Sequence, residues 1–250
     1  MLSVAAIVAA AGHGERLGDG DPTASTAPRA PTAPKALRDL AGVPMVVHAV
    51  RALAAARGVD LVVVAAPPDR VEDTRTLLRD QHEGADLEVV AGGATRPESV
   101  RAALAALPQA TTTVLVHDAA RPLAPVDLVE AVVAALADGA DAVVPGVPVV
   151  DTVKAVADGV VTATLDRSGL CAVQTPQGFR REVLERAHDA HDAHDRGGPD
   201  VTDDAGLVER LGVRVVVVPG HAEAFKVTRP LDLLLAAAVL AGREVVTGGR

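Results

Sequence analysis

The sequence predicts an α/β fold: a Rossmann-like, mostly parallel sheet with helices on both faces and one projecting β-hairpin. Three observations predict it. Short β-branched runs alternate with Ala/Leu-rich helical stretches up to Val144. The strands read as continuous apolar runs, as strands covered on both faces do. After Val147 the pattern changes to two alternating runs around an Asp-Gly turn, a strong hairpin signal.

The expected strands of the first part are Val4–Ala9, Leu61–Ala65, Leu87–Val90, Thr113–His117 and Ala142–Val144. Between them lie the expected helices Pro44–Ala56, Asp69–Asp80, Pro97–Leu107 and Pro125–Ala137, which open with proline at or near the first turn, where its missing N–H has no helical partner to lose. The runs Val149–Val156 and Gly159–Leu165 flank Ala157-Asp158-Gly159, so residues 148–167 are expected to form an arm. Helices at Arg180–His191 and Asp203–Leu211, strands at Val213–Val218 and Phe225–Thr228, a last helix Pro230–Ala241 and a frayed tail Gly242–Arg250 complete a single domain over 1–250. Gly18–Pro34 holds Pro22, Pro28, Pro31 and Pro34 among Ala, Thr, Ser and Asp; it is expected to be an insertion loop without regular structure, either mobile or a lid that orders over ligand.

Of the 250 residues 49% are hydrophobic but only 1% aromatic, with two Phe and no Tyr or Trp, so the core must be aliphatic. That scarcity excludes modules that grip ligands by ring stacking. A net charge of −9 without any run of Lys or Arg speaks against a nucleic-acid partner. Cys171 stands alone and is expected to be a buried core thiol. No basic n-region precedes the first strand, and no apolar run approaches the roughly 18 residues of a membrane span, so the expected location is cytoplasmic.

Parallel sheets bind ligands at the carboxyl ends of their strands. There the first strand runs into Ala10-Ala11-Gly12-His13-Gly14-Glu15-Arg16-Leu17-Gly18, a turn whose backbone N–H groups can face a phosphate. It is not a P-loop, lacking Gly-Lys-Ser/Thr, and not a dinucleotide fingerprint, since Leu17 stands where the third glycine belongs. Arg16 and, beyond the insertion, Lys35 can neutralise a phosphoryl group in flight; by spacing alone, two solvated surface cations is the plainer reading. Asp118, after the fourth strand, either holds Mg²⁺ on triphosphate oxygens, accepts from ribose hydroxyls or caps the next turn. The Gly92-Gly93 turn adds Arg96 and Ser99 as donors. His188, His191 and His194 recur at three-residue spacing, which reads as a solvated helix end rather than a metal site.

Taken in order, several segments resemble the 2-C-methyl-D-erythritol 4-phosphate cytidylyltransferase family over almost the whole chain. They are Ala10-Ala11-Gly12-x-Gly14-x-Arg16, Pro34-Lys35, Gly92-Gly93-x-x-Arg96-x-x-Ser99, His117-Asp118-Ala119-Ala120-Arg121-Pro122, Asp151-Thr152-Val153-Lys154, Thr175-Pro176-Gln177, Thr202-Asp203-Asp204-Ala205 and Lys226-Val227-Thr228-Arg229-Pro230. The resemblance implies a nucleotidyltransferase fold of glycosyltransferase-A-like type and transfer of CMP from CTP to methylerythritol phosphate, with Mg²⁺ or another divalent cation. It implies that Arg16 and Lys35 stabilise the transition state, with Arg167 and Lys226 positioning the attacking phosphate. Ala10, Ala11, Gly12, Gly14, Gly93, Arg96, Ser99, Asp118 and Ala119 are implied in the CTP pocket, and Arg121, Thr152, Thr175 and Thr202 on the sugar-phosphate side. The metal contact of Asp118 would run mostly through CTP phosphates. The arm would cross to a second subunit, so that Thr152 and Arg167 complete the partner's site in a homodimer.

Gly18–Pro34 is longer than the family's usual link, and Ala94 replaces a frequent acidic residue. A cytidylyltransferase for another polyol phosphate, such as ribitol 5-phosphate, and a silent nucleotide-binding protein with Lys35 displaced are the alternatives. With so few rings, cytosine is expected to be read by main-chain groups of the two glycine turns together with Ser99.

Overall fold

A computed structural model describes residues 3–12, 34–194 and 202–248. The chain begins with β1 (Val4–Ala9) and, after Lys35–Leu37 in a 3-10 turn, forms the small antiparallel pair β2 (Asp39–Leu40) and β3 (Val43–Pro44). Then come α1 (Met45–Ala54), β4 (Leu61–Ala66), α2 (Val71–Leu78), β5 (Asp86–Ala91), α3 (Arg96–Ala106), β6 (Thr113–Asp118), α4 (Val126–Ala137) and β7 (Ala142–Pro148). The arm is β8 (Lys154–Ala157) and β9 (Val160–Thr164); β10 (Cys171–Val173), β11 (Gln177–Arg180), α5 (Arg181–His194), α6 (Asp204–Arg210), β12 (Val215–Pro219) and α7 (Pro230–Gly248) follow.

β6, β1, β4 and β5 lie side by side and parallel. β11 runs antiparallel between β6 and β7, β10 continues along the same edge of β7, and β12 pairs in parallel with β7 over Ala142–Gly146. Alternation along each buried strand divides the core in two. Val4, Ala6 and Val8 of β1 join Val46, Val50 and Leu53 of α1 and Val129, Val132 and Leu136 of α4 on one face. Ala5 and Ile7 join Val100 and Leu104 of α3, Val183 and Leu184 of α5 and Val208 of α6 on the other. The core is aliphatic apart from Phe179, which is fully buried in β11. Its neighbour Gly178 is small of necessity, because a Cβ there would stand 2.6 Å from methyls of both Leu136 and Val132.

Pro97 lies in the first turn of α3, which Thr95 and Glu98 close with a reciprocal capping box. Pro44 and Pro125 stand one place earlier, as the residues preceding α1 and α4. The arm's turn has positive φ at Asp158 (50°) and Gly159 (77°), the twist-compatible geometry that an Asp-Gly pair supplies.

Three expectations need correction, and two short strands are additional. Phe225–Thr228 is not a strand: it runs beside the loop after β6, where Val227 N–H donates to the Ala120 carbonyl (2.8 Å) but no ladder continues. The last helix does not stop at Ala241 but runs to Gly248, with Arg243 donating to the Leu123 carbonyl (2.8 Å) and paired with Glu223. Cys171 is exposed, at the start of the three-residue β10. The short antiparallel strands β10 and β11 have no counterpart in the sequence pattern. The insertion expected over Gly18–Pro34 lies outside the described residues up to position 33.

Candidate active site

The carboxyl ends of β1 and β6 and the turn after β5 open on one cavity of about 190 Å³, lined among the described residues by Ala9 to Gly12, Lys35, Ala36, Gly93 to Arg96, Ser99, Asp118 to Ala120 and Lys226. The sheet register brings these together. Ala9 is paired with Asp118, so the end of β1 and the carboxylate of β6 are side by side, and Ala119 N–H donates back to the Ala9 carbonyl (3.3 Å).

Each turn is braced from below. Gly92 N–H donates to the Ala66 carbonyl (2.7 Å), and Gly93 N–H to Ser99 Oγ (3.1 Å), whose hydroxyl in turn donates to the Thr95 carbonyl (2.9 Å). Glycine is required at position 92, since a Cβ would fall 2.6 Å from the Ala11 Cβ and 3.0 Å from Ser99 Oγ. The two glycine turns therefore touch, and a side chain in one would displace the other.

Asp118 is the electrostatic centre. Its Oδ1 accepts from Arg96 Nε (3.1 Å) and its Oδ2 from Lys226 Nζ (2.8 Å), while Arg121 Nε lies 3.9 Å from Oδ2. Burial alone would raise its pKa, but Arg96, Lys226 and Arg121 outweigh burial and hold it well below the usual carboxylate range. Arg96 reaches a second carboxylate, Asp204 Oδ2, at 2.5 Å. Burial opposes its charge, and the two aspartates overcome that and raise its pKa, so the guanidinium is a fixed cation on the pocket wall.

A buried row of hydrogen bonds holds Asp118 from the main-chain side. Its N–H donates to Thr175 Oγ1 (3.1 Å); Thr175 lies 3.0 Å from His117 Nδ1, and His117 Nε2 lies 3.1 Å from the Arg121 carbonyl. A carbonyl only accepts, so Nε2 carries the proton and Nδ1 accepts from the threonine hydroxyl. Burial pushes the His117 pKa down to about 4, which keeps the ring neutral near neutral pH. Arg121 donates to the carbonyls of Ala224 (2.8 Å) and Val173 (3.2 Å), tying the Lys226 segment to β10, and its buried Nε has no hydrogen-bond partner.

Of the residues named from the sequence, Ala10, Ala11, Gly12, Lys35, Gly93, Arg96, Ser99, Asp118, Ala119 and Lys226 meet at this cavity. Arg121 and Thr175 lie directly behind Asp118. Thr152 and Arg167 belong to the arm region, both exposed, with Arg167 donating to the Val150 carbonyl; they and the exposed Thr202 do not line the cavity. Gly14 and Arg16 lie outside the described residues. Among the described residues no group of three or more His, Cys, Asp or Glu could hold a metal ion, and both oxygens of Asp118 face cations. His188 of the three-histidine strip is buried against Asp204. Asp204 and His188 were missed as site residues, although His188 follows Leu184 by four places on the buried face of α5, a spacing visible in the sequence.

A family model for 2-C-methyl-D-erythritol 4-phosphate cytidylyltransferase matches residues 4–242. A protein of that name from Streptomyces avermitilis is 55% identical, the match covering 98% of this chain and 94% of the relative. One from Rhodococcus jostii is 49% identical over 95% of each. Among solved structures, the cytidylyltransferase of that name from Thermus thermophilus superposes with a TM-score of 0.71 at 33% identity, covering 96% of this chain and 98% of the other. The 4-diphosphocytidyl-2C-methyl-D-erythritol synthase from Anaerococcus prevotii gives a TM-score of 0.79 at 25% identity, over 96% and 99%.

Proposed function

This chain belongs to the 2-C-methyl-D-erythritol 4-phosphate cytidylyltransferase family, and on that premise we propose that the cavity around Asp118 is where it carries out the family's reaction. The enzyme transfers CMP from CTP to 2-C-methyl-D-erythritol 4-phosphate in isoprenoid biosynthesis. A phosphate oxygen of the polyol phosphate bonds to the α-phosphorus of CTP, the bond from that phosphorus to the β-phosphate oxygen breaks, and pyrophosphate leaves with the negative charge. No strong general base is required, because a phosphate monoester with a second pKa near 6 is already largely dianionic at neutral pH.

Two polyanions repel, so the protein's contribution is gathering and charge neutralisation. The observation that carries the assignment is the convergence of Lys35, Arg96 and Lys226 on the cavity that the glycine turns and Asp118 also line. Ala10 to Gly14, Gly93, Ser99 and Ala119 are proposed to hold CTP through main-chain groups, and Arg16 with Lys35 to stabilise charge at the α-phosphorus. Lys226 is proposed to orient the attacking phosphate, for which it exchanges Asp118 for substrate oxygens. Arg121, Thr175 and Thr202 are assigned to the polyol side, the first two by bracing Asp118 and the Lys226 segment. The donors around Asp118 do not form a resident metal cage. A divalent cation would therefore arrive on the CTP phosphates, where its charge helps to neutralise them.

The arm supports a homodimer. β8 and β9 pair only with each other among the described residues, an isolated two-stranded hairpin is marginal in water, and Val150, Val156, Val160 and Val161 are more than half exposed. A second copy that receives the arm would cover them and bring Thr152 and Arg167 to its cavity. Sedimentation at micromolar protein is expected to give twice the 25.4 kDa chain mass, and a monomer would contradict the arm exchange. A cytoplasmic location is proposed from the composition and the single cysteine; separately, no helix among the described residues is long and apolar enough to cross a membrane.

Pyrophosphate release is the test of the reaction. Turnover with CTP, Mg²⁺ and 2-C-methyl-D-erythritol 4-phosphate is expected to exceed that with ribitol 5-phosphate. The reverse order would make this a sister cytidylyltransferase, and no release with either would leave a nucleotide-binding protein.

A further inference from the structure

Arg96 lies on the cavity wall between two carboxylates of different character. Asp118 shares the cavity and is also claimed by Lys226, so an incoming triphosphate competes with it for both cations. Asp204 does not line the cavity, and its side chain is 1% exposed, so no ligand can compete for it directly. It is the contact on Arg96 that persists when Asp118 is challenged.

One carboxylate oxygen of Asp204 takes Arg96; the other, Oδ1, lies 2.9 Å from His188 Nε2. A carboxylate only accepts, so the ring donates, and the carboxylate is held from both sides. Burial disfavours the charged form of Asp204, and Arg96 with His188 overcomes that, lowering its pKa. The His188 carbonyl also accepts from Arg101 Nη2 at 2.7 Å, which ties α5 to the helix that carries Arg96. Packing alone does not call for an imidazole here. Its neighbours on the buried face of α5 are Val183, Leu184 and Ala187, and an apolar side chain would satisfy them without the desolvation of a polar ring.

We propose that His188 is a positioning residue for nucleotide binding: by holding Asp204, it keeps the Arg96 guanidinium aimed at the cavity when triphosphate oxygens draw Asp118 and its cations apart. This rests on the assignment of the cavity to CTP. The effect is expected on the nucleotide, because the cavity cation that His188 and Asp204 hold is Arg96.

The test compares the unsubstituted enzyme with His188→Ala, His188→Gln and Asp204→Asn, by steady-state kinetics and by calorimetric titration with CTP and Mg²⁺ in the absence of the polyol phosphate. For His188→Ala, loss of a hydrogen bond to a charged group is expected to raise KM and Kd for CTP about tenfold. The KM for the polyol phosphate and kcat are expected to stay within about twofold, since neither reads Arg96 directly. His188→Gln, which still offers an N–H to Asp204, is expected to recover most of the loss, and Asp204→Asn to reproduce it. A merely structural role would lower thermal stability and the active fraction while leaving both CTP constants unmoved, and that result overturns the proposal. Should His188→Ala not fold, equal CTP affinity in Asp204→Asn and the unsubstituted enzyme overturns it as well. If the unsubstituted chain binds CTP but releases no pyrophosphate, the reaction assignment fails while the calorimetric ratio still decides the role of His188.

Discussion

Replacing Asp118 by Asn keeps the shape of the side chain and removes the charge on which three cations converge. The distances are 3.1 Å to Arg96, 2.8 Å to Lys226 and 3.9 Å to Arg121, and the carboxylate is 11% exposed. Removing one partner of a buried ion pair typically costs ~3–5 kcal/mol, because the other charge stays buried without compensation. Two features of this cluster reduce that figure. Arg96 retains Asp204, and Lys226, with 44% of its side chain exposed, can turn into water. Only the half-starved Arg121, whose Nε already lacks a hydrogen-bond partner, is left worse placed. The expected loss is therefore about 2–3 kcal/mol, equivalent to a fall in Tm of roughly 5–10 °C for a domain of this size. Urea unfolding followed by circular dichroism, with an unchanged m-value, measures it. In the same variant kcat/KM is expected to fall by about 10²-fold or more, since Lys226 loses the counter-charge that aims it at the cavity. Unchanged stability together with unchanged turnover would refute the idea that Asp118 organises the cations of this site.

Three further outcomes follow from the same geometry. Lys35→Ala is expected to lower kcat by ~10²–10³, the usual cost of removing a charge that stabilises the transition state, and an unchanged rate would move the reaction to another centre. Gly92→Ala inserts a Cβ 2.6 Å from Ala11 and is expected to destabilise the fold by about 1–3 kcal/mol and to raise the KM for CTP, as read by thermal melting and kinetics. The His117 pKa of about 4 lies below the ordinary histidine value of 6.5, so between those values the unfolded chain takes up a proton that the folded chain refuses. This contribution to stability is complete above pH 6.5, is lost as pH falls toward 4 and is constant below, amounting to roughly 3 kcal/mol. Urea midpoints measured across that range should fall with pH, and more shallowly in His117→Asn; an equal slope in the variant would show that His117 is not the group responsible.

Long elements with clear periodicity were legible in the sequence. Val4–Ala9 is predicted and found with the same bounds, and the helix expected from Pro125 to Ala137 differs from α4 by one residue. The cavity was legible for a related reason. In a parallel sheet the functional residues follow strand ends, so Ala10 to Gly12, Gly93 and Asp118 could be placed from strand positions alone; Lys35 stood out as a cation beyond the first turn, where solvated surface cations were the plainer reading, and the family resemblance supplied Lys226 and the catalytic role of Lys35.

What was not legible depends on partners distant in sequence. β10 and β11 are three and four residues long and exist because β7 and β6 offer edges to pair with, which no local pattern announces. Cys171 was expected to be buried because thiols usually are, and it is exposed because β10 covers only the outer end of β7, from Gly146 to Pro148. His188 illustrates the opposite error. Counted with His191 and His194 it looks like a solvated strip, whereas its phase relative to Val183, Leu184 and Ala187 places it inside, and only the fold shows that Asp204 waits there.

The central claim is that this chain joins the α-phosphoryl group of CTP to the polyol phosphate at the cavity around Asp118. The most direct measurement follows the label from CTP carrying radioactive phosphorus at either the α or the γ position, with Mg²⁺ and 2-C-methyl-D-erythritol 4-phosphate. The account predicts that α-label appears in the cytidylylated polyol and γ-label in pyrophosphate, in equal amounts, and that both fall together in Lys35→Ala. γ-Label in the polyol product, or α-label transfer that survives the loss of Lys35 undiminished, would contradict it.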